Sequence, residues 1–334
     1  MNGIQHLLFE EIKHKIPKHA SFVDEVATVL EVSPDGVYRR SRSETMLRVD
    51  ELVMLCKHFD ISLDNLMKRS TDEVVLFQPF GLNAAELDFS EYLRTLLGLL
   101  RGFQERKIRR AIFSAKDIPV FHLFQFPELA RFKMFFWRKT IFNDPSFGRF
   151  DLSLEDEHEA YLVSLCHQVA EKYAQIPTTE IWNDETAISF IKQIEYYYKS
   201  GFFKHKRDAE HLVDLMEEYF NHLRMQAEYG CKFLGKTPPK HGVENFELYY
   251  NNLILIDNVI HVEEENAQHA FLVYHSIEYL QTQNPRFASQ LKDWLLTLTR
   301  KSGKISASNE IERNQFFMKI LDRLDVLRES LVRG

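Results

Sequence analysis

The sequence predicts a mainly α-helical protein, in which an N-terminal domain of five short helices precedes a larger helical domain with a small antiparallel β-sheet. The 334 residues include only 12 Gly and 10 Pro, which is few for a parallel α/β enzyme with glycine-rich turns. Apolar residues recur at helical spacing along most of the chain, whereas adjoining β-branched runs occur only near residues 253–274. Helices are therefore expected to dominate.

The composition is that of an ordinary folded chain. Hydrophobic residues make up 45% and charged residues 27%, so the chain has enough apolar side chains to form a core. The formal net charge of −7 argues, at the level of the whole chain, against nucleic acid as a partner. Three separated cysteines, no signal-like segment and no long apolar run predict a cytoplasmic protein without disulfides or contact with a membrane.

The first 70 residues predict short helices in close succession, beginning with residues 4–14. Ser21 is a suitable N-cap for the second helix, whose apolar pattern breaks at Val32. A third helix is expected to start directly afterwards, because Ser33 is a good N-cap and Pro34 suits the first helical position. Two helices joined this tightly cross at a steep angle, which is the helix-turn-helix arrangement. Further helices are expected near residues 49–59 and from Ser62.

Residues 4–69 resemble the Cro/lambda-repressor-like (XRE-type) helix-turn-helix family. The resemblance lies in the segments EVATVLEVSPDGVYRRSRSE and LRVDELVMLCKHFDISLDNL. Family features match at the following positions: Ala27, Val32, Ser33, Val37, Ser62, Leu63, Asp64 and Leu66. The chain departs from the family at Glu31, Ser43 and Asp60, where glycine is frequent, and at Arg40 or Ser41, where an apolar residue is common.

The resemblance implies that the helix from Pro34 to about Arg42 is a recognition helix that lies in the major groove of double-stranded DNA. The candidates for contacts to base edges are Pro34, Asp35 and Tyr38, and Arg39 is a candidate for either a guanine edge or a phosphate. The candidates for contacts to phosphate, which position the domain without reading sequence, are Ser21, Arg40, Arg42 and Arg48. There are alternatives to contact with DNA. Exposed arginines on a short helix are also compatible with a face that is merely solvated. The aromatic ring at residue 38 is also compatible with packing against the next helix.

Charge counted by segment changes the argument about nucleic acid. Residues 1–70 contain 10 Lys+Arg and 11 Asp+Glu, so this domain is nearly neutral. Affinity for DNA depends on local neutralisation of phosphates, which a weakly charged single module provides poorly. A homodimer that engages two half-sites together is therefore expected.

Residues 71–83 are predicted to be a linker, and residues 84–334 a helical regulatory and dimerisation domain. In its first helix, apolar residues alternate at spacings of four and three, which is a pattern shared by coiled coils and by helices packed on their own core. This candidate dimerisation stripe consists of Phe89, Leu93, Leu96, Leu100 and Phe103. Near the C-terminal end, residues 253–256 and 259–262 predict a β-hairpin, and residues 270–274 a third strand.

Residues 101–140 combine 10 Lys+Arg with only three acidic residues and many aromatic side chains. Such a mixture is typical of single-stranded nucleic-acid binding sites. It is equally typical of a core in which the stems of Arg and Lys cover apolar surface, which is the interpretation we favour. A pocket for an anionic effector is a third interpretation.

No catalytic motif is recognisable in the chain. The sequence contains no phosphate loop, no GxGxxG, no GxSxG and no HExxH, and its 14 histidines lack the spacing of metal ligands. We therefore expect neither an enzyme nor a bound cofactor or metal.

The sequence thus predicts a dimeric, sequence-specific transcriptional regulator, because its layout resembles that of one-component regulators. Its expected partners are double-stranded DNA, a second copy of the chain and an effector, either a small molecule or a peptide. The alternative is a protein-interaction scaffold in which the helix-turn-helix no longer binds DNA.

Overall fold

The computed structural model of the chain describes residues 3–17, 20–63, 66, 75–80, 88–144, 148–153, 157–239, 243–252, 257–274 and 276–333. The chain divides into two compact units, which we call unit 1 (residues 1–76) and unit 2 (residues 77–334). The boundary falls inside the predicted linker.

Unit 1 is a bundle of short helices. They are α1 (Ile4–Lys15), α2 (Phe22–Leu30), α3 (Pro34–Ser41) and α4 (Val49–His58), as the sequence predicts. Each contributes at least one side chain with no exposed surface to a common core: Leu8 and Ile12, Val26, Val37 and Leu55. The fifth predicted helix, from Ser62, lies largely outside the described residues.

Three of the described residues of unit 1 adopt the left-handed backbone conformation. Their φ angles are 54° at Glu31, 60° at Ser43 and 50° at Asp60. Each follows the end of a helix, and these are the three positions at which the resembled family often has glycine. A side chain with a Cβ atom is disfavoured in this conformation by roughly 1–2 kcal/mol. The departures from glycine therefore leave the chain path intact at a cost in stability.

Unit 2 is an α/β structure. Its helices are α5 (Phe89–Glu105), α6 (Val120–Leu123), α7 (Pro127–Phe136), α8 (Glu157–Ala174), α9 (Asp184–Lys199), α10 (Lys206–Tyr229), α11 (Pro285–Arg300) and α12 (Glu310–Arg333). Its strands are β1 (Gln78–Phe80), β2 (Arg110–Ala115), β3 (Thr178–Trp182), β4 (Phe246–Tyr250), β5 (Val259–Glu263), β6 (Gln268–Tyr274), β7 (Glu278–Thr282) and β8 (Gly303–Lys304). A π-helical turn, Trp137–Ile141, continues α7.

The strands form one eight-stranded mixed sheet in the order β1-β7-β6-β5-β2-β3-β4-β8. Strands β2, β3 and β4 run parallel to one another, and the remaining pairs are antiparallel. Successive side chains of β2 point to opposite faces of the sheet. Ile112 packs with Leu295 of α11, whereas Phe113 belongs to the large core formed with α5, α8, α9, α10 and α12. No described helix has the length and apolar character required to cross a bilayer.

The prediction of a mainly α fold with a small antiparallel sheet is therefore wrong for unit 2. At the parallel centre, β2 is almost entirely buried and all five residues of β3 are buried, so these two strands show no alternation of buried and exposed residues. The predicted strands at 259–262 and 270–274 do exist, as parts of the antiparallel pair β5–β6. Residues 253–256 lie outside the described residues, and residues 78–80 of the predicted linker form β1, which pairs with β7.

Candidate nucleic-acid interface

The turn between α2 and α3 sets the direction of α3. The left-handed Glu31 ends α2, and the amide of Val32 donates to the carbonyl oxygen of Ala27 at 3.1 Å. The Ser33 hydroxyl then accepts a hydrogen bond from the Gly36 amide at 3.3 Å, which caps α3 with Pro34 at its first turn. Both cap and proline act as the sequence predicts.

One side of α3 is held in the core, and the other is exposed. Val37 has no exposed surface. The exposed residues of this helix and its C-cap include five of the predicted contacts: Pro34, Asp35, Tyr38, Arg39 and Arg42. About half of the Tyr38 residue surface, 49%, is exposed, so its ring can be reached from solvent. The structure therefore gathers these five residues on the solvent side of unit 1.

Weak contacts arrange the charged groups on this surface. The Nε atom of Arg39 lies 2.9 Å from Oδ2 of Asp35, and both side chains are mostly exposed. The Arg42 guanidinium lies 5.9 Å from the centre of the Tyr38 ring. Contacts of this kind contribute about 0.3–1 kcal/mol each, so either arginine can exchange its partner for a DNA phosphate or base.

Ser21 and Arg48 lie at the starts of α2 and α4. The Ser21 hydroxyl caps α2 by accepting a hydrogen bond from the Asp24 amide at 3.4 Å. Arg48 precedes α4, and its Nη2 atom lies 2.9 Å from Oδ2 of Asp50, with 76% of the arginine side chain exposed. Helix N-termini with exposed polar or basic side chains are suited to contact phosphate.

Arg40 differs from the other predicted contacts, because its guanidinium is used inside the domain. Nη2 donates to Oε1 of Glu51 at 2.7 Å and Nε to Oε2 at 3.3 Å, with 16% and 13% of the two side chains exposed. The hydrogen bond from Arg40 holds the pKa of Glu51 below its ordinary value. The pair ties α3 to α4, so the Arg40 guanidinium is already engaged inside the domain, and its contact to phosphate stays a prediction.

Gln5 of α1 is a residue that sequence reasoning missed. Its Nε2 atom donates to the carbonyl oxygens of Arg40 at 2.7 Å and Thr45 at 2.8 Å, and its Oε1 accepts from the Leu47 amide at 2.8 Å. The side chain therefore fixes the end of α3 and the loop that follows. The only signal in the sequence is a polar residue on the apolar side of the first helix, which does not reveal partners 35–42 residues away.

The candidate dimerisation stripe is not available to a partner. Phe89, Leu93, Leu96, Leu100 and Phe103 are each at most 4% exposed and belong to the large core of unit 2. The prediction of a dimer seam along this stripe is therefore wrong, and the other interpretation, a helix packed on its own core, is confirmed.

The basic and aromatic stretch 101–140 is also mostly interior. Phe113, Phe124 and Phe132 are at most 4% exposed. Lys133 is 2% exposed, and its Nζ donates to Oδ2 of Asp117 at 2.9 Å. The core interpretation is thus confirmed for these residues, which do not form a platform on which bases could stack.

A buried polar cluster in unit 2 was not visible in the sequence. The carboxylate of Glu180, which is fully buried, accepts hydrogen bonds from Tyr173 at 2.6 Å and Trp182 at 2.8 Å, and it lies 2.8 Å from Nε2 of His122. Burial raises the pKa of Glu180, but His122 and the other donors outweigh it and hold the pKa below the ordinary value.

Lys232 lies in the same interior region. Its Nζ donates to the Ile176 carbonyl oxygen and to the Thr178 hydroxyl, both at 2.6 Å, and burial lowers its pKa to about 7. The neighbouring cavity, of about 50 Å³, has an entirely apolar surface. The donors and acceptors of this cluster serve each other, so we regard it as a structural part of the core.

Comparisons with known proteins do not identify the chain: no family model matches it, and neither does any curated protein or solved structure. Within the described part of the chain, no three His, Cys, Asp or Glu side chains are grouped so that they could hold a metal ion. The candidate site therefore rests on the geometry of unit 1.

Proposed function

We propose that the chain is a sequence-specific, DNA-binding transcriptional regulator of the Cro/lambda-repressor-like type that acts as a homodimer in the cytoplasm. The observation that carries the proposal is the exposure of Pro34, Asp35, Tyr38, Arg39 and Arg42 on one side of a helix whose other side is anchored by Val37. This is the arrangement that a recognition helix needs in order to enter a major groove.

The chemistry of the exposed side chains suggests their roles. Arg39 is suited to a bidentate contact with the O6 and N7 atoms of guanine, and Asp35 is suited to accept from the N4 amino group of cytosine. Arg42, Arg48 and the N-terminus of α2 at Ser21 are suited to phosphate. In this proposal unit 2 supplies dimerisation, through a surface other than the buried stripe, and responds to an effector.

Selection from a random double-stranded DNA pool by the full chain, followed by gel-shift titration at low and moderate salt, tests the proposal. We expect one enriched sequence with two related half-sites. We also expect Arg39→Ala and Arg42→Ala to weaken binding. If no DNA sequence is enriched and both variants bind DNA as the wild type does, the proposal is refuted.

A protein-interaction scaffold is the second candidate, and one observation favours it. Apolar side chains before and on α4 are unusually exposed: Met46 by 71%, Val49 by 77%, Val53 by 42% and Met54 by 45%. Exposed apolar patches of this kind are typical of protein contacts. A bound partner that survives nuclease treatment and is lost on Val49→Asp, with no DNA sequence enriched, would favour the scaffold.

A further inference from the structure

The apolar cavity of unit 2 lies between α5 and the face of the sheet that this helix covers. Its lining residues on the sheet come from six adjacent strands, β1, β7, β6, β5, β2 and β3, and those on α5 are Leu96, Leu99, Leu100 and Phe103. Its volume is about 50 Å³, and about 560 Å³ when the unfilled space along its walls and its opening to solvent is counted. Because neighbouring strands lie about 4.8 Å apart, a cavity that borders six of them with so small a volume is narrow and elongated.

The surface of the cavity is apolar even at two lining residues that carry hydroxyl groups. Tyr173 donates its hydroxyl hydrogen to Oε1 of Glu180 at 2.6 Å, and the Thr178 hydroxyl accepts from Nζ of Lys232 at 2.6 Å. Both oxygens are therefore engaged by the neighbouring polar cluster. A water molecule needs roughly two to four polar partners, so a cavity of this kind disfavours water and favours an apolar ligand.

Burial of the lining residues increases from one edge of the sheet towards its centre. Phe80 of β1, Tyr279 of β7 and Leu99 of α5 are half-buried, whereas Ala111 of β2 and Thr178 of β3 are buried. A ligand would therefore enter beside β1 and end near β3. Phe80 belongs to the strand with which the chain enters unit 2, so an occupant contacts the part of unit 2 that directly follows unit 1 in sequence.

We propose that the cavity binds the short unbranched alkyl chain of an amphiphile, whose polar group stays beside β1, and that this amphiphile is the effector of unit 2, a role that rests on the proposed function. An unbranched chain is one methylene group wide and can follow a narrow cavity, whereas a branched isomer is too wide to enter. Burial of each further methylene group strengthens binding by roughly fourfold.

Calorimetric titration of the full chain with 1-hexanol, in the absence of DNA, tests the alkyl site. The comparison ligands are 1-butanol, which is two methylene groups shorter, and 3,3-dimethyl-1-butanol, a branched isomer of 1-hexanol. We expect 1-hexanol to bind with a dissociation constant on the order of 1 mM or lower, and both comparison ligands to bind at least about tenfold more weakly. No binding of 1-hexanol, or equal binding of the branched isomer, would overturn the proposal.

Substitutions locate the site within the chain. Ala111→Val adds two methyl groups to the buried wall of the cavity, at a strand position that suits a β-branched residue, and we expect 1-hexanol to bind at least about tenfold more weakly. Ala267→Val, between β5 and β6 and outside the cavity, is the matched control and is expected to leave binding unchanged. Urea unfolding verifies that both variants are folded. Wild-type affinity in Ala111→Val, or an equal loss in Ala267→Val, would contradict the assignment.

The effector role is tested separately, on the DNA sequence selected by the full chain. We expect saturating 1-hexanol to change the affinity for this DNA by at least about fivefold in the wild type and not in Ala111→Val. An unchanged affinity in the wild type would overturn the effector role. If no DNA sequence is selected, the proposed function fails and the effector role with it, whereas the alkyl site is decided by calorimetry alone.

Discussion

The contrast between Arg39 and Arg40 gives the sharpest prediction about unit 1. These neighbours in sequence have opposite surroundings: Arg39 is 61% exposed beside Asp35, whereas Arg40 is 16% exposed and bonded twice to Glu51. Arg40→Met leaves the half-buried carboxylate of Glu51 without its main partner. Hydrogen bonds to charged groups contribute about 1.5–3 kcal/mol, so we expect a loss of about 2 kcal/mol in the stability of unit 1. Arg39→Met is expected to cost less than about 0.5 kcal/mol, because exposed ion pairs contribute little.

Amide hydrogen exchange of the full chain, read from peptides that span α3 and α4, measures this difference. A loss of about 2 kcal/mol accelerates exchange through unfolding roughly 30-fold. A double-mutant cycle with Glu51→Gln isolates the pair, since the amide can still accept a hydrogen bond from the Arg48 amide. We expect a coupling energy of about 1–2 kcal/mol. Equal acceleration in Arg39→Met and Arg40→Met, or a coupling energy near zero, would refute the assigned roles.

Three further predictions concern the backbone and the interior. Glu31→Gly removes a Cβ atom from a left-handed position (φ 54°) and is expected to stabilise unit 1 by up to about 1 kcal/mol. Hydrogen exchange in unit 1 should then be slower, and faster exchange would contradict the left-handed geometry. Leu96 is buried, so Leu96→Ala is expected to destabilise unit 2 by about 2–5 kcal/mol, measured by urea unfolding. Light scattering should show an unchanged oligomeric state. A shift in that state would show that the stripe is an interface. Burial lowers the pKa of Lys232 from 10.5 to about 7, so between those values the unfolded chain binds more protons and stability rises with pH by at most about 1.4 kcal/mol per unit. Urea unfolding at several pH values should show this rise of stability with pH in the wild type and its loss in Lys232→Met. An equal rise in both proteins would contradict the lowered pKa of Lys232.

The sequence was sufficient to predict the first four helices of unit 1, because the signals that specify these helices are local. The N-cap at Ser33 with Pro34, the break after the second helix and the apolar spacing on each side specify helices without reference to distant residues. Even the departures from glycine at Glu31, Ser43 and Asp60 correspond to left-handed backbone in the structure. The contacts of Gln5 and the ion pair of Arg40 with Glu51 were missed, because they depend on which groups the tertiary fold brings near these side chains.

In unit 2 the sequence predicted the helical character and the pair β5–β6, but not the parallel centre of the sheet, because those strands lack a local pattern. The long helices α8, α9, α10, α11 and α12 lie where apolar residues recur at helical spacing, but β3 is a run of five buried residues between helices. A strand buried on both faces has no alternation, and its neighbours β2 and β4 are distant in the chain.

The most direct test of the central claim, that α3 reads DNA sequence, compares Arg39→Ala with Arg42→Ala on a selected operator and on its single-base variants. We expect Arg39→Ala to lose about 1–3 kcal/mol of discrimination at one base pair. We expect Arg42→Ala to weaken binding to all sequences alike and to reduce the salt dependence by about one phosphate contact. Identical base preferences in wild type and Arg39→Ala, with an unchanged salt dependence in Arg42→Ala, would contradict the assignment of α3 as the recognition helix.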